Sequence, residues 1–205
     1  ISKMETSDIA AMTTAQVAAL NSDQLVAFTT DQIQALKTAQ IAAITTLDIS
    51  NMQTTDLQAL TTAQAAALTS VQIGAMNTNE IRNLETADLA SLTSSALDGM
   101  TTTQIQAIST DQISALTSAQ VASLSTAQVA AILTTDLQAM TTNQFAALSS
   151  AQLAGMSTTQ IRNIETADIA AVTTAALQGL TTDQAGVLTT DQLQAMTTAQ
   201  FASIS

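Results

Sequence analysis

From Met4 to Ile204, every eighth residue is Met, Leu, Ile, Val or Phe: 26 positions with no slip in register. Five residues after each lies a second apolar class, running Ile9, Val17, Leu25, Ile33 and on to Phe201. With Ile1 it too has 26 members, and only Ala65 and Ala185 are small. The residue two after the opening hydrophobe is Thr or Ser in all 25 complete octads, Thr6 to Thr198. The residue four after it is Gln 16 times, Asp or Glu seven times and Ala twice, at Ala96 and Ala176. The consensus is L-T-T-A-Q-I-A-A. Such regularity marks a repeat architecture, in which one unit cannot bury its apolar face alone and stacked neighbours do it together.

The period of eight decides the element. In a strand, side chains alternate faces with period two, so apolar classes five apart would point to opposite faces. In one long helix, eight residues advance about 800°, so each class would drift about 80° per octad and the stripe would wind around the helix. A new helix in each octad removes both conflicts. In the opening example, Leu116–Ile132, Thr117 is the N-cap and Gln120 the N3 partner of an S/T-x-x-E/Q capping box. Leu116 and Val121 form the hydrophobic staple across it. The next Leu and Thr end the helix by starting another cap. The second Thr of each octad, more constant than the first, is the alternative cap; the first is favoured, although Glu5, Lys37, Gln53, Glu85, Leu133 and Glu165 are poor caps standing in its place. A helix this short does not persist alone. The expectation is therefore an all-α solenoid or superhelix of about two-turn helices, one per octad, around an Ile/Leu/Met core. A helical wheel puts the classes of Val121, Leu124, Gln120 and Ser123 inside and those of Ser118, Ala119 and Ala122 outside. The eight Met residues all fall in the opening class and read as core filler.

A longer period overlies the short one. The stretch IRNLETADLASLTSSALDG at Ile81–Gly99 returns as IRNIETADIAAVTTAALQG at Ile161–Gly179, ten octads later. No linker or composition shift interrupts the register, so residues 1–205 read as one continuous array of about 25 octads. Ten octads in three superhelical turns would reconcile this period with the polar residues Gln34, Gln58, Arg82 and Gln106, which recur every third octad.

Function is bounded mainly by exclusion. Sixteen acids against four bases give a net charge of −12, which repels nucleic acid and anionic lipid surfaces. There is no Cys or His, and no Ser beside a plausible base. The acid pairs Glu5/Asp8, Glu85/Asp88 and Glu165/Asp168 occupy helix-start positions, where negative charge suits the helix dipole. No catalytic, cofactor-binding or metal site is expected, and the chain reads as a non-enzyme. No apolar run reaches the roughly 18 residues of a transmembrane helix, and no signal peptide is visible. A chain that begins at Ile1 reads as a mature product or a piece of something longer.

Two local departures recur at the 80-residue offset: Arg82, Asn83 and Glu85, and then Arg162, Asn163 and Glu165. They read as surface ion pairs of little energetic value, with a repeated lateral contact as the sharper alternative. Neither end carries the polar cap that solenoid repeats need. That points either to a segment of a longer array or to ends that meet other copies, and head-to-tail contacts that do not close make filaments.

Over its whole length the run of L-T-T-A-Q-I-A-A units resembles the tandem octapeptide-repeat tracts of large secreted or surface, adhesin-like proteins of Gram-negative bacteria. The resemblance implies export without a cleaved N-terminal signal, an extracellular or cell-surface location and a stalk or fibre role; it carries over no functional residues. Two functions are expected in consequence. One is a structural filament, fibre or stalk whose partner is itself or flanking repeats. The other is a binding or adhesion module that presents a repetitive surface to a partner.

Overall fold

A computed structural model describes residues 1–204. Among them lie 25 helices and no strand, from α1 (Thr6–Ala11) to α25 (Thr198–Ser203), one per octad. Each is four to six residues long, from one turn to just under two at 3.6 residues per turn. The longest helices stop at the opening hydrophobe and cap of the next octad, while others, such as the one ending at Ile41, end earlier on an αR residue. In α15 (Ser118–Ser123), Leu124 ends the helix at φ −59°, ψ 138°, and the following cap, Ser125, sits at φ −65°, ψ 159°. Two consecutive extended residues break the helical ladder without Gly or Pro.

The first Thr or Ser of the octad is the cap. Thr117 Oγ1 accepts from the Gln120 N–H at 3.2 Å, and Gln120 Oε1 accepts from the Thr117 N–H at 2.7 Å, closing the box in both directions. The same reciprocal pair forms at Thr13/Gln16, Asn21/Gln24 and Ser149/Gln152. Where the cap residue is Glu5, Gln53, Glu85, Leu133 or Glu165, no side-chain cap bond forms. At Lys37 only half the box exists: the Lys37 N–H donates to Gln40 Oε1 at 2.6 Å, and the ammonium offers no acceptor in return.

The helices group into two compact units, Ile1–Ala107 and Ile108–Ser205. Within each, a helix packs against the helix three octads away. In the first unit α1 packs on α4 (Thr30–Ala35), α4 on α7 (Thr54–Gln58), and α7 on α10 (Thr78–Asn83). In the second, α18 (Thr142–Ala146) packs on α21 (Thr166–Ala171), and α21 on α24 (Thr190–Ala195). Both apolar classes form the core, with Ile33, Leu57 and Ile81 fully buried in the first unit and Leu137, Phe145 and Leu153 in the second. Burying one such side chain is worth roughly 1.5–3 kcal/mol, so each helix persists through its neighbours. Six of the eight Met side chains are core residues, from Met52 to Met196; Met4 is exposed and Met12 half-buried.

Candidate functional site

The feature that repeats with the fold is a buried glutamine. From Gln32 onward, the N3 glutamines are almost wholly enclosed, at 1–6 % exposure. A glutamine buried to that degree must satisfy two amide hydrogens as well as its carbonyl oxygen. The oxygen closes the capping box of its own helix. The amide nitrogen reaches four octads back. Gln64 Nε2 donates to Ile33 O at 2.8 Å and Leu36 O at 2.6 Å, carbonyls at the end of α4. Gln40 does the same to Ile9 O and Met12 O, and Gln72 to Ile41 O and Ile44 O. In the second unit Gln144 reaches Ile113 O and Leu116 O, Gln152 reaches Val121 O and Leu124 O, and Gln184 reaches Leu153 O and Met156 O.

Each such glutamine is thus a clamp. One end caps a helix start, and the other meets two C-terminal carbonyls: one, such as Ile33 O, that already accepts the Leu36 N–H at 3.1 Å, and one, such as Leu36 O, beyond the end of the helical ladder. Helices three octads apart pack and helices four octads apart are clamped, so one superhelical turn spans between three and four octads. This agrees with ten octads in three turns. A net hydrogen bond contributes about 0.5–1.5 kcal/mol, and a buried group left unpaired costs about 1–3 kcal/mol.

Seven octads put a carboxylate where the clamp belongs. Asp48 is satisfied by hydroxyls: Ser22 Oγ donates at 2.7 Å and Thr45 Oγ1, from its own cap, at 2.5 Å. Asp56 has Gln53 as its cap residue and no such help, and its Oδ2 is buried without a hydrogen-bond partner. Burial pushes the carboxyls of Asp56, Glu80, Asp88, Asp136 and Asp168 above their usual range. Asp88 is pushed up to about 6, first by burial and then by the charge of Glu85. At Asp168 burial comes first, opposed by the Thr142 hydroxyl and reinforced by the Glu165 charge.

The two octads with Ala at N3 are solved differently. Gly99 follows α12 (Ser94–Leu97), which packs on α9 (Ser70–Ala75). A Cβ on Gly99 would lie 2.0 Å from Ser70 O. Gly179, after α22 (Thr174–Leu177), would meet Ser150 O at 2.1 Å in the same way. Where the clamp is missing, backbone meets backbone.

The residues singled out for a lateral contact lie mostly on the surface. Arg82 is exposed and donates through Nε to Ala107 O at 3.5 Å. Asn83 donates to Asn79 O at 2.8 Å, and Asn163 to Thr159 O at 2.8 Å. Arg162 is exposed, as are Glu85 and Glu165 at the starts of α11 (Thr86–Ser91) and α21. Among the described residues no cluster of three or more acidic side chains is placed to hold a metal ion, and no helix is long and apolar enough to cross a membrane.

The glutamine's second role is what sequence reasoning missed. The wheel placed Gln120 inside and gave its oxygen to the capping box, but left its two amide hydrogens without acceptors. The coupling of Ala96 with Gly99, and of Ala176 with Gly179, was the corresponding signal for the close contacts.

A search of curated proteins found no match. A family model, the ALTTAQ repeat, matches five times in tandem, at residues 1–38, 41–78, 81–118, 129–163 and 161–198. These matches cover most of the chain, which therefore belongs to the ALTTAQ repeat family.

Proposed function

We propose that this chain is a structural element, an extracellular filament, fibre or stalk in which one copy continues the array of the next by head-to-tail stacking. The observation that carries this reading is the uniformity of the clamp. Within each unit, the clamped helices offer the next turn the same pair of carbonyls, and Gln40, Gln64, Gln72, Gln144, Gln152 and Gln184 take them at the same offsets of 31 and 28 residues. A face that satisfies the following turn of its own chain has the chemistry to satisfy the first turn of another copy. Such contacts are heterologous and extend without closing. Catalysis has no part in this reading, and the location it assigns is the cell surface or the extracellular space.

Electron microscopy of the purified chain across a concentration series tests it. Filaments whose length grows with concentration support head-to-tail assembly. Isolated particles of constant size at every concentration overturn it.

A further inference from the structure

We propose that Asp56 and Asp168 are proton-binding positions of the array, where a neutral carboxyl supplies the donor that glutamine supplies elsewhere, so that successive turns hold together more strongly at mildly acidic pH than at neutral pH.

The register makes the case. Gln40, Gln64 and Gln72 place an amide donor against carbonyls 31 and 28 residues earlier. The same offsets pair Asp56 with Leu25 and Phe28, and Asp168 with Leu137 and Met140. A carboxylate has no hydrogen to give, so in its charged form it sets a negative group against the negative ends of carbonyl dipoles. Both side chains are at least nine-tenths enclosed, Asp56 at 4 % exposure and Asp168 at 5 %, and Asp56 Oδ2 has no partner at all. Asp56 accepts the Gln53 N–H and Asp168 the Thr142 hydroxyl, each favouring the charged form, but burial outweighs both bonds; a buried carboxylate this poorly supplied with donors takes up a proton instead.

The charged groups on the packed elements are mostly acids. Around Asp56, α4 carries Asp31, α10 carries Glu80 and Arg82, α3 (Ser22–Val26) carries Asp23, and α11 carries Asp88 behind its cap Glu85. Around Asp168, α18 and α25 carry no charge, α24 carries Asp191, α17 (Thr134–Ala139) carries Asp136, and its own cap is Glu165. Arg82 is the one cation among these groups, and at Asp168 the charge of Glu165 opposes ionisation. Burial raises both carboxyls in the same direction.

The test uses the full chain in two ways. Carboxyl-carbon NMR of the wild-type protein follows Asp56 and Asp168 directly; both are expected to titrate above the ordinary aspartate value of about 3.9. Thermal melting at pH of about 5 and about 7.5 compares the wild type with Asp56→Asn and Asp168→Asn, which keep the side-chain length and remove the charge. The wild type is expected to melt higher at the acidic pH. Each variant is expected to narrow that gap by melting higher than the wild type near neutrality. Titration at or below the ordinary value overturns the proposal, as does a gap that both variants leave unchanged. The NMR result stands even if a variant does not fold.

Discussion

Adding one methyl group at Gly99 or Gly179 tests the packing of these helices more sharply than any truncation. Neither glycine has a positive φ, so backbone freedom does not explain them and space does. A Cβ at Gly99 would lie 2.0 Å from Ser70 O, 2.6 Å from Ser70 C and 2.7 Å from Ser70 Cα; at Gly179 the corresponding distances to Ser150 are 2.1, 2.6 and 2.7 Å. Ordinary carbon contacts begin at about 3.5 Å. Every obstructing atom is backbone, so the start of α9, or of α19 (Ser150–Gly155), must move by more than an ångström. Overpacking of this kind costs about 1–3 kcal/mol. Gly→Ala returns about 0.4–1 kcal/mol through the unfolded chain, which leaves Gly99→Ala and Gly179→Ala each destabilised by roughly 1–2 kcal/mol. Gly186 is the internal control: it lies in α23 (Thr182–Gly186), and a Cβ there meets nothing within 4 Å. Gly186→Ala therefore keeps only the gain. At about 2–4 °C per kcal/mol for a chain of this size, thermal melting separates the two signs. Gly99→Ala or Gly179→Ala melting at or above the wild type would refute the steric reasoning.

The clamp and the caps give further expectations. Gln64→Ala and Gln144→Ala each remove two inter-turn hydrogen bonds, take the amide donor from Leu36 O or Leu116 O, and open a capping box, costing roughly 2–4 kcal/mol by urea unfolding from the lost bonds and the unpaired group; a loss of a few tenths would contradict the clamp. Leu133→Thr supplies a missing cap and should stabilise by about 0.5–1 kcal/mol, read from the same transition, with an unchanged midpoint as the contrary result. At Asp88 the folded carboxyl sits at about 6, above the unfolded value of about 3.9, so the folded state holds its proton more tightly. Its contribution is complete below the unfolded value and is lost as pH rises through about 6. Asp88→Asn should therefore flatten the fall in melting temperature between pH of about 5 and about 7, and an unchanged profile would count against the burial reading. Arg82→Ala with Arg162→Ala should move stability by less than about 0.5 kcal/mol as surface changes; loss of side-by-side association by light scattering, with stability intact, would favour a lateral-contact role.

Much of this was legible in the sequence because the physics is local. A Thr three residues before a Gln, with an apolar residue on each flank, specifies a helix start within five or six residues. Repeating it every eight residues specifies where each helix must stop. Both apolar classes, and the inward side for Gln120, followed from the same wheel. The inter-turn bonds were harder, because Gln64 meets Ile33 and Leu36 only after the superhelix has turned, and the octad does not state its own pitch. The demand was visible nonetheless: a glutamine placed inside needs acceptors for two hydrogens. The acids were misleading in a specific way. Asp88 and Asp168 sit in first-turn positions that suit a helix dipole, and that reading hides the fact that the same positions are buried beneath another turn.

Side-chain amide hydrogen exchange by NMR measures the clamp most directly. Gln64, Gln72, Gln144 and Gln152 each donate to two carbonyls of another helix, whereas Gln16 and Gln24 close the same capping box but are exposed. The expected result is strong protection of the Nε2 hydrogens of the first four and fast exchange at Gln16 and Gln24. Equal, fast exchange at all six would mean that no clamp joins the turns.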